Sequence, residues 1–336
     1  MNDLEFNFSE IINMIEERRQ NAYKKVNEEL ISLYWDFGKY ISEKVNDSNW
    51  GDKIVDKLVE FMKREYPTMR GFNKRGIYRM KQFYETYKDF PFVSPLVTQI
   101  SWTNNLLILS GTNSIEEKEF YIKMCIKNNY SKRELDRQIS SGYFHRYMLS
   151  DGKANQSLSK TVGEEDYPNT KILDTYSLEF LDLPNNYSEK DLKKAIISNM
   201  RDFILEIGND FSFVGEEYKV QVGNEDFYID LLFYNRTLSC LVAFELKIGK
   251  FKPEYISKMD FYLEALDRQE KKENENPSVG VILCASKDVQ VVEYAMSRSM
   301  SPTMVSQYTL KLIDKKLLEE KLKEINDIVE ENNNKE

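Results

Sequence analysis

The segment that most restricts the fold of this chain is residues 227–247, "FYIDLLFYNRTLSCLVAFELK". Two apolar runs, 227–234 and 239–246, flank "NRTL" and predict an antiparallel hairpin. Leu231, Leu232 and Phe233 are consecutive on one run, and Leu241, Val242, Ala243 and Phe244 on the other, so both faces of both strands are apolar. A hairpin of that kind must be covered on both sides, which calls for helices packed over a mixed sheet. Only Asp230, Glu245 and Lys247 interrupt the pattern. Charges there are costly unless paired, hydrogen-bonded or bound to metal.

If the loop holds Thr237 and Leu238, or any even number of residues, Asp230 lies directly opposite Glu245. Their Cβ atoms are then about 5 Å apart on one face. Glu245 and Lys247, two residues apart, share that face as well. An odd loop without a bulge would separate the carboxylates. Two carboxylates so close repel, and a divalent cation compensates directly. Hard oxygen ligands suit Mg²⁺, with Mn²⁺ as a substitute, because such ions need only one or two carboxylates and keep several waters. Lys247 beside that ion would orient or deprotonate an attacking water, or offset charge developing on a phosphate. Glu206, near the end of a helix expected over 189–206, is a candidate further ligand. The competing reading is a surface ion pair, which contributes little. The apolar residues on both faces argue against it.

Composition narrows the chemistry further. The chain has 336 residues, 41% hydrophobic and 31% charged, enough for two domains with cores of their own. His145 is the single histidine, so acid–base and metal chemistry must rest on carboxylates, lysine and water. Cys125, Cys240 and Cys284 lie far apart with no CxxC pair, which fits a reducing compartment. No apolar run approaches the roughly 20 residues of a membrane helix, and the first ten residues lack a signal-peptide pattern. The expected setting is the cytoplasm, with no membrane partner.

Residues 1–150 read as a helical DNA- or partner-binding domain. Ile15, Ala22, Val26, Leu33, Phe37 and Ile41 form the stripe of a long first helix. Residues 151–170, polar and aperiodic, read as a linker. An α/β domain is expected over 171–315, then a C-terminal helix and disordered tail over 316–336. Leu318, Leu322, Ile325 and Val329 and the long first helix offer surfaces for assembly, so a homo-oligomer is expected.

Between residues 60 and 90, eight basic residues face four acidic ones, net +4 in a chain of net −9. A helix, a Gly-containing turn and a helix bearing Lys74, Arg75, Arg79 and Gln82 are compatible with helix-turn-helix docking on DNA. Arg133 and Arg137, on one face of a later helix, extend the patch. A solvated helix face is the alternative. The aromatic pairs Phe83-Tyr84 and Tyr143-Phe144 suit core packing better than base stacking.

Asp230, then Glu245-Leu246-Lys247 on the next strand, resembles the PD-(D/E)XK nuclease pattern, with Ile229 where proline is usual. The longer stretch from "FVGEEYKVQVG" through "FKPEYISKMDFYLEALD", with "ILDTYSLEFLDLP" and "VEYAMSRSMSP" around it, resembles the YhcG-like family. "ERRQNAY", "YWDFGKYI" and "QISWTNNLLIL" resemble that family's winged-helix-like N-terminal domain. The resemblance implies a restriction-endonuclease-like α/β domain and Mg²⁺-dependent hydrolysis of DNA. Asp230 and Glu245 would be metal ligands, Lys247 catalytic and Glu206 assisting. Lys258 stands where related nucleases often hold Gln, and would contact phosphate or pair with Glu254. Defence against foreign DNA or DNA processing, with a partner protein of such a system, follows from the same resemblance. A silent nuclease domain in an assembly subunit, or an RNase on the same site, stays open.

Overall fold

The computed structural model describes residues 3–46, 52–150, 172–297, 299 and 301–333, without the side chains of 3–7, 46, 52–54 and 325–333. Two units divide it, Met1–Ile139 and Ser140–Glu336. The expected linker at 151–170 lies outside the described residues.

The first unit is built from helices: α1 (Asp3–Asn46), α2 (Asp52–Glu65), α3 (Lys74–Tyr87), α4 (Ser94–Val97), α5 (Trp102–Gly111), α6 (Ile115–Asn128) and α7 (Lys132–Ser140). No strand occurs among its described residues, so the expected wing is not seen there. α3 buries Ile77, Met80, Phe83 and Tyr87. Of the pair Phe83-Tyr84, Phe83 completes that face, because it meets Trp102 at 5.2 Å and Trp35 at 5.8 Å between ring centroids. α1 crosses α3 at Gly38, where a Cβ would come within 2.1 Å of the Met80 carbonyl oxygen. The α1 stripe is only half used by this packing. Of the expected stripe Ile41 is buried and Phe37 half-buried, whereas Ile15, Ala22, Val26 and Leu33 are exposed; Ile31 and Tyr34, outside the stripe, are buried instead.

The second unit opens earlier than the expected boundary at 150, since α8 (Tyr143–Leu149) belongs to it. It holds six strands: β1 (Thr175–Ser177), β2 (Phe211–Val222), β3 (Glu225–Asn235), β4 (Cys240–Lys250), β5 (Val279–Ser286) and β6 (Thr303–Thr309). Their order is β1-β6-β5-β4-β3-β2. The β1–β6, β6–β5 and β5–β4 pairs are parallel, and β4–β3 and β3–β2 antiparallel. β2 is bulged between Phe213 and Gly215.

The helix expected over 189–206 is two, α9 (Glu189–Ser198) and α10 (Met200–Ile207), separated at Asn199. α10 sets Phe203 against Phe233 and Phe244, each 6.0 Å away between centroids. On the other face α11 (Glu254–Gln269) packs Met259, Leu263 and Leu266 into a core with Leu232, Leu241, Ala243 and Ile282. The double coverage that the hairpin demanded is therefore present. α12 (Val289–Met296) and α13 (Lys315–Asn333) complete the unit. α13 runs to Asn333, three residues into the 331–336 tail expected to be disordered, and 334–336 lie outside the described residues. Cys125, Cys240 and Cys284 are buried free thiols, and burial pushes Cys240 up to about 12.

One buried ion pair ties α8 to this unit. Arg146 pairs with Glu206 of α10, both side chains being almost wholly excluded from solvent. Arg146 also donates to the Ser141 carbonyl at 3.1 Å and the Thr175 carbonyl at 3.2 Å, and Glu206 accepts from the Ser177 backbone N–H at 2.7 Å. Removing one partner strands a buried charge, at a cost of about 3–5 kcal/mol. Glu206→Ala should lower unfolding stability by that amount in chemical denaturation, with Arg146→Met giving a loss of similar size.

Candidate active site

The β3–β4 register runs from Asn235↔Cys240 to Leu231↔Phe244, across a four-residue loop of even length. Continuing it by one step sets Asp230 opposite Glu245. The backbone ladder stops there because the Asp230 carboxylate intervenes: its Oδ2 accepts from the Leu246 N–H at 2.9 Å. Asp230 and Glu245 thus stand side by side where the antiparallel pair opens, on the face that α11 covers.

Glu245 is 1% exposed. Its Oε1 lies 2.8 Å from Lys247 Nζ and 2.5 Å from Lys258 Nζ. Its Oε2 is buried and has no hydrogen-bond partner. An acceptor in that state costs free energy unless a cation or donor completes it. Lys258 therefore binds Glu245 and not Glu254, one of its two expected roles, because α11 turns it towards the strand. Its ammonium also lies 5.2 Å from the Tyr262 ring centroid, and that of Lys247 5.4 Å from Tyr255.

Two further groups reach the site from α9, and neither was expected. Lys193 Nζ lies 3.4 Å from Asp230 Oδ1 and 2.7 Å from Glu217 Oε1, and Glu189 Oε2 lies 3.4 Å from Lys247 Nζ. Ser188 and Asp191 start this helix with a reciprocal capping box. One turn apart, Glu189 and Lys193 share a face. That i,i+4 pair at a capped helix start was a legible signal, but nothing in the sequence aims the face at Asp230.

The expectation that Glu206 joins Asp230 and Glu245 is corrected. α10 packs on the Phe233/Phe244 face, and side chains alternate along β4, so Glu245 points the other way from Phe244. Glu206 is instead engaged by Arg146 and Ser177. Among the described residues no group of three or more His, Cys, Asp or Glu side chains is placed to hold a metal. The carboxylates set side by side on the strands are those of Asp230 and Glu245, with Glu189 beside Lys247. They fit a hard divalent cation, which needs only one or two carboxylates, and the unpartnered Glu245 oxygen is the atom it would complete.

Lysine charge at this site is reinforced. Burial works against the protonated form of Lys247, but the hydrogen bond and field of Glu245 outweigh it and its pKa is raised. Lys258 and Lys193 are raised by the same balance, through Glu245 for the first and Glu217 and Asp230 for the second. In this arrangement Lys247 is a cation at neutral pH, which favours its orienting and charge-offsetting roles over proton abstraction.

The expected nucleic-acid residues of the first unit lie on α3 and α7. Arg75, Gln82 and Arg133 are exposed, Arg79 and Arg137 half-buried. Lys74 is held by Asp56 at 2.8 Å. Eight residues connect α2 and α3, more than the 3–4 of a helix-turn-helix. Phe83, Tyr143 and Phe144 are buried, as core packing requires, and His145 is buried too.

Residues 169–323 match the family model described as the YhcG PDDEXK nuclease domain, and residues 10–146 that of the DUF1016 N-terminal domain. Between them the two matches take in most of the chain. It is 28% identical over 355 residues to "Putative nuclease YhcG" of Escherichia coli (strain K12), covering 96% of this chain and 94% of that one. A repair endonuclease from Pyrococcus abyssi matches 39% of this chain and 50% of its own at 14% identity, with a TM-score of 0.26. EndoMS in a complex with double-stranded DNA matches 40% and 48% at 15% identity, also with a TM-score of 0.26. At those scores neither match bears on the fold, which rests on the family model and on the mixed sheet with helices on both faces. No described helix is long and apolar enough to cross a membrane.

The raised lysines predict an alkaline limit of stability. A folded-state pKa above the ordinary 10.5 contributes stability that is fully present below 10.5 and is lost as pH rises through the folded value. Denaturation midpoints of the wild type should fall above pH ~10.5. The Lys247→Met/Lys258→Met double variant should show a shallower fall over the same range.

Proposed function

We propose that this protein is a Mg²⁺-dependent nuclease that hydrolyses DNA phosphodiesters at Asp230, Glu245 and Lys247. The observation that carries the reading is the buried, unpartnered Oε2 of Glu245 beside Asp230, within a PDDEXK nuclease domain. Asp230 and Glu245 would hold the cation, with Mn²⁺ able to replace Mg²⁺. When bound, the cation polarises the phosphate and lowers the pKa of the water it contacts. Lys247 orients the attacking water and, with Lys258, offsets the negative charge that grows on the phosphate as the bond breaks. Asp230 is held in place by the Leu246 N–H, so its free edge keeps one direction. Glu206 acts at a distance, by fixing α8 and α10 beneath the sheet.

DNA is the substrate we favour, supported by the net +4 stretch over residues 60–90 and by Arg75 and Gln82 on the exposed side of α3. Arg79, Arg133, Arg137 and Lys74 are further candidates for phosphate contact. Cytoplasmic defence against foreign DNA or DNA processing, alone or with a partner protein, is the setting such cleavage would serve. RNA is separated from DNA by presenting both to the same preparation.

A second reading has its own observation. Lys247 and Lys258 both close on Glu245 Oε1, which suits a silent site that serves assembly or a partner enzyme. Plasmid cleavage across a Mg²⁺ titration decides between them. The active reading expects cleavage that rises with Mg²⁺ and falls about 10²–10³-fold in Glu245→Gln and in Lys247→Ala. Cleavage undiminished in both variants would overturn the site, and no cleavage of DNA or RNA at any Mg²⁺ concentration would favour the silent domain. For the first unit, Arg75→Ala should weaken binding of duplex DNA of any sequence and reduce the salt slope of log K by about 1.

A further inference from the structure

Residues 8–26 of α1 are nineteen consecutive exposed positions, of which only Tyr23 and Lys24 border a cleft shared with Thr98, Gln99 and Ile126. At 1.5 Å per residue they project about 28 Å. A lone helix of this length is marginal in water, because helices in proteins draw most of their stability from packing an apolar face. This one has such a face. Phe8, Ile12, Ile15, Ala22 and Val26 recur at steps of three, four and seven, and Phe8, Ile12 and Val26 are each more than 50% exposed. A seam of that spacing is what a coiled coil buries.

The charges say what covers it. From residue 8 to 17 the charged residues are Glu10, Glu16 and Glu17, all acidic. From 18 to 26 they are Arg18, Arg19, Lys24 and Lys25, all basic. A second copy in antiparallel orientation lays each acidic half along the basic half of its partner. A parallel copy sets like beside like over both halves, which costs free energy. We propose that α1 forms an antiparallel coiled coil with the α1 of a second copy of this chain, Phe8 meeting the partner's Val26, Ile12 the partner's Ala22 and Ile15 the partner's Arg19. The interface is isologous and closes as a two-fold dimer. It places a charged guanidinium beside an apolar side chain at the central layer, and the nearby Glu16 of the opposite strand supplies its counter-charge.

The proposal is independent of catalysis at Asp230 and Glu245, and its test reads mass and cross-linking only. Light scattering of the full chain at micromolar concentration should give twice 39.8 kDa. Ile12→Glu/Val26→Glu, which alters only exposed side chains, should return the mass to a single chain, with the helical circular dichroism falling by no more than the share that residues 8–26 contribute. Native cysteines are all buried, so introduced ones report cleanly. Mild oxidation of mixed Ile12→Cys and Ala22→Cys chains should give a mixed disulfide, and Ile12→Cys alone none. A monomeric wild type, a dimer that survives the double glutamate variant, absence of the mixed disulfide, or Ile12→Cys cross-linking to itself would each overturn the proposal.

Discussion

The Glu245 carboxylate, buried in a strand whose neighbours are apolar on both faces, is the constraint around which the second unit is organised. An ionised group there requires cations within contact distance. Lys247 comes from the same strand two residues on, and Lys258 from the helix laid over that face. Asp230 brings a second negative charge, answered by the Leu246 N–H and by Lys193. Strand register, helix placement and electrostatics thus converge at the point where β3 and β4 part. A neutral core would have allowed the same sheet, but it would not have required α9 and α11 to present lysines there.

The opposite face carries a different buried charge for a different purpose. Arg146 and Glu206 satisfy each other and three backbone groups, so this pair fixes α8 against β1 and α10 and leaves little bonding capacity unused. Around Glu245 the accounting is unbalanced: one oxygen takes two lysines and the other takes none. That asymmetry separates a structural ion pair from a site able to accept a further ligand. Sequence distance does not separate them, since both acids lie in apolar surroundings.

Glu206, Lys258 and the α1 stripe share one property: their partners lie outside their own segments. Glu206 sits at a plausible distance in sequence from the hairpin, and only the break at Asn199 sends α10 to the Phe233/Phe244 face. Lys258 and Glu254 are one helical turn apart, yet Lys258 turns to Glu245, where burial strengthens the attraction. The stripe on α1 is a real helical stripe, but its periodicity is the same whether the partner is α3 or a neighbouring molecule. Periodicity reports that a face will be buried and is silent about what buries it.

The sequence by itself determined the hairpin, its two-sided burial and, for a loop of even length, the face shared by Asp230, Glu245 and Lys247. Those properties are local: alternation along a strand and the parity of a four-residue loop fix them once the strands form. Only the tertiary structure decided that Glu206 is bound by Arg146, that Lys193 and Lys258 complete the charge around the carboxylates, and that residues 140–150 belong with the second unit. Each of these depends on how helices pack across a sheet. That packing is set by the fit of many side chains at once, so no single stretch of sequence records it.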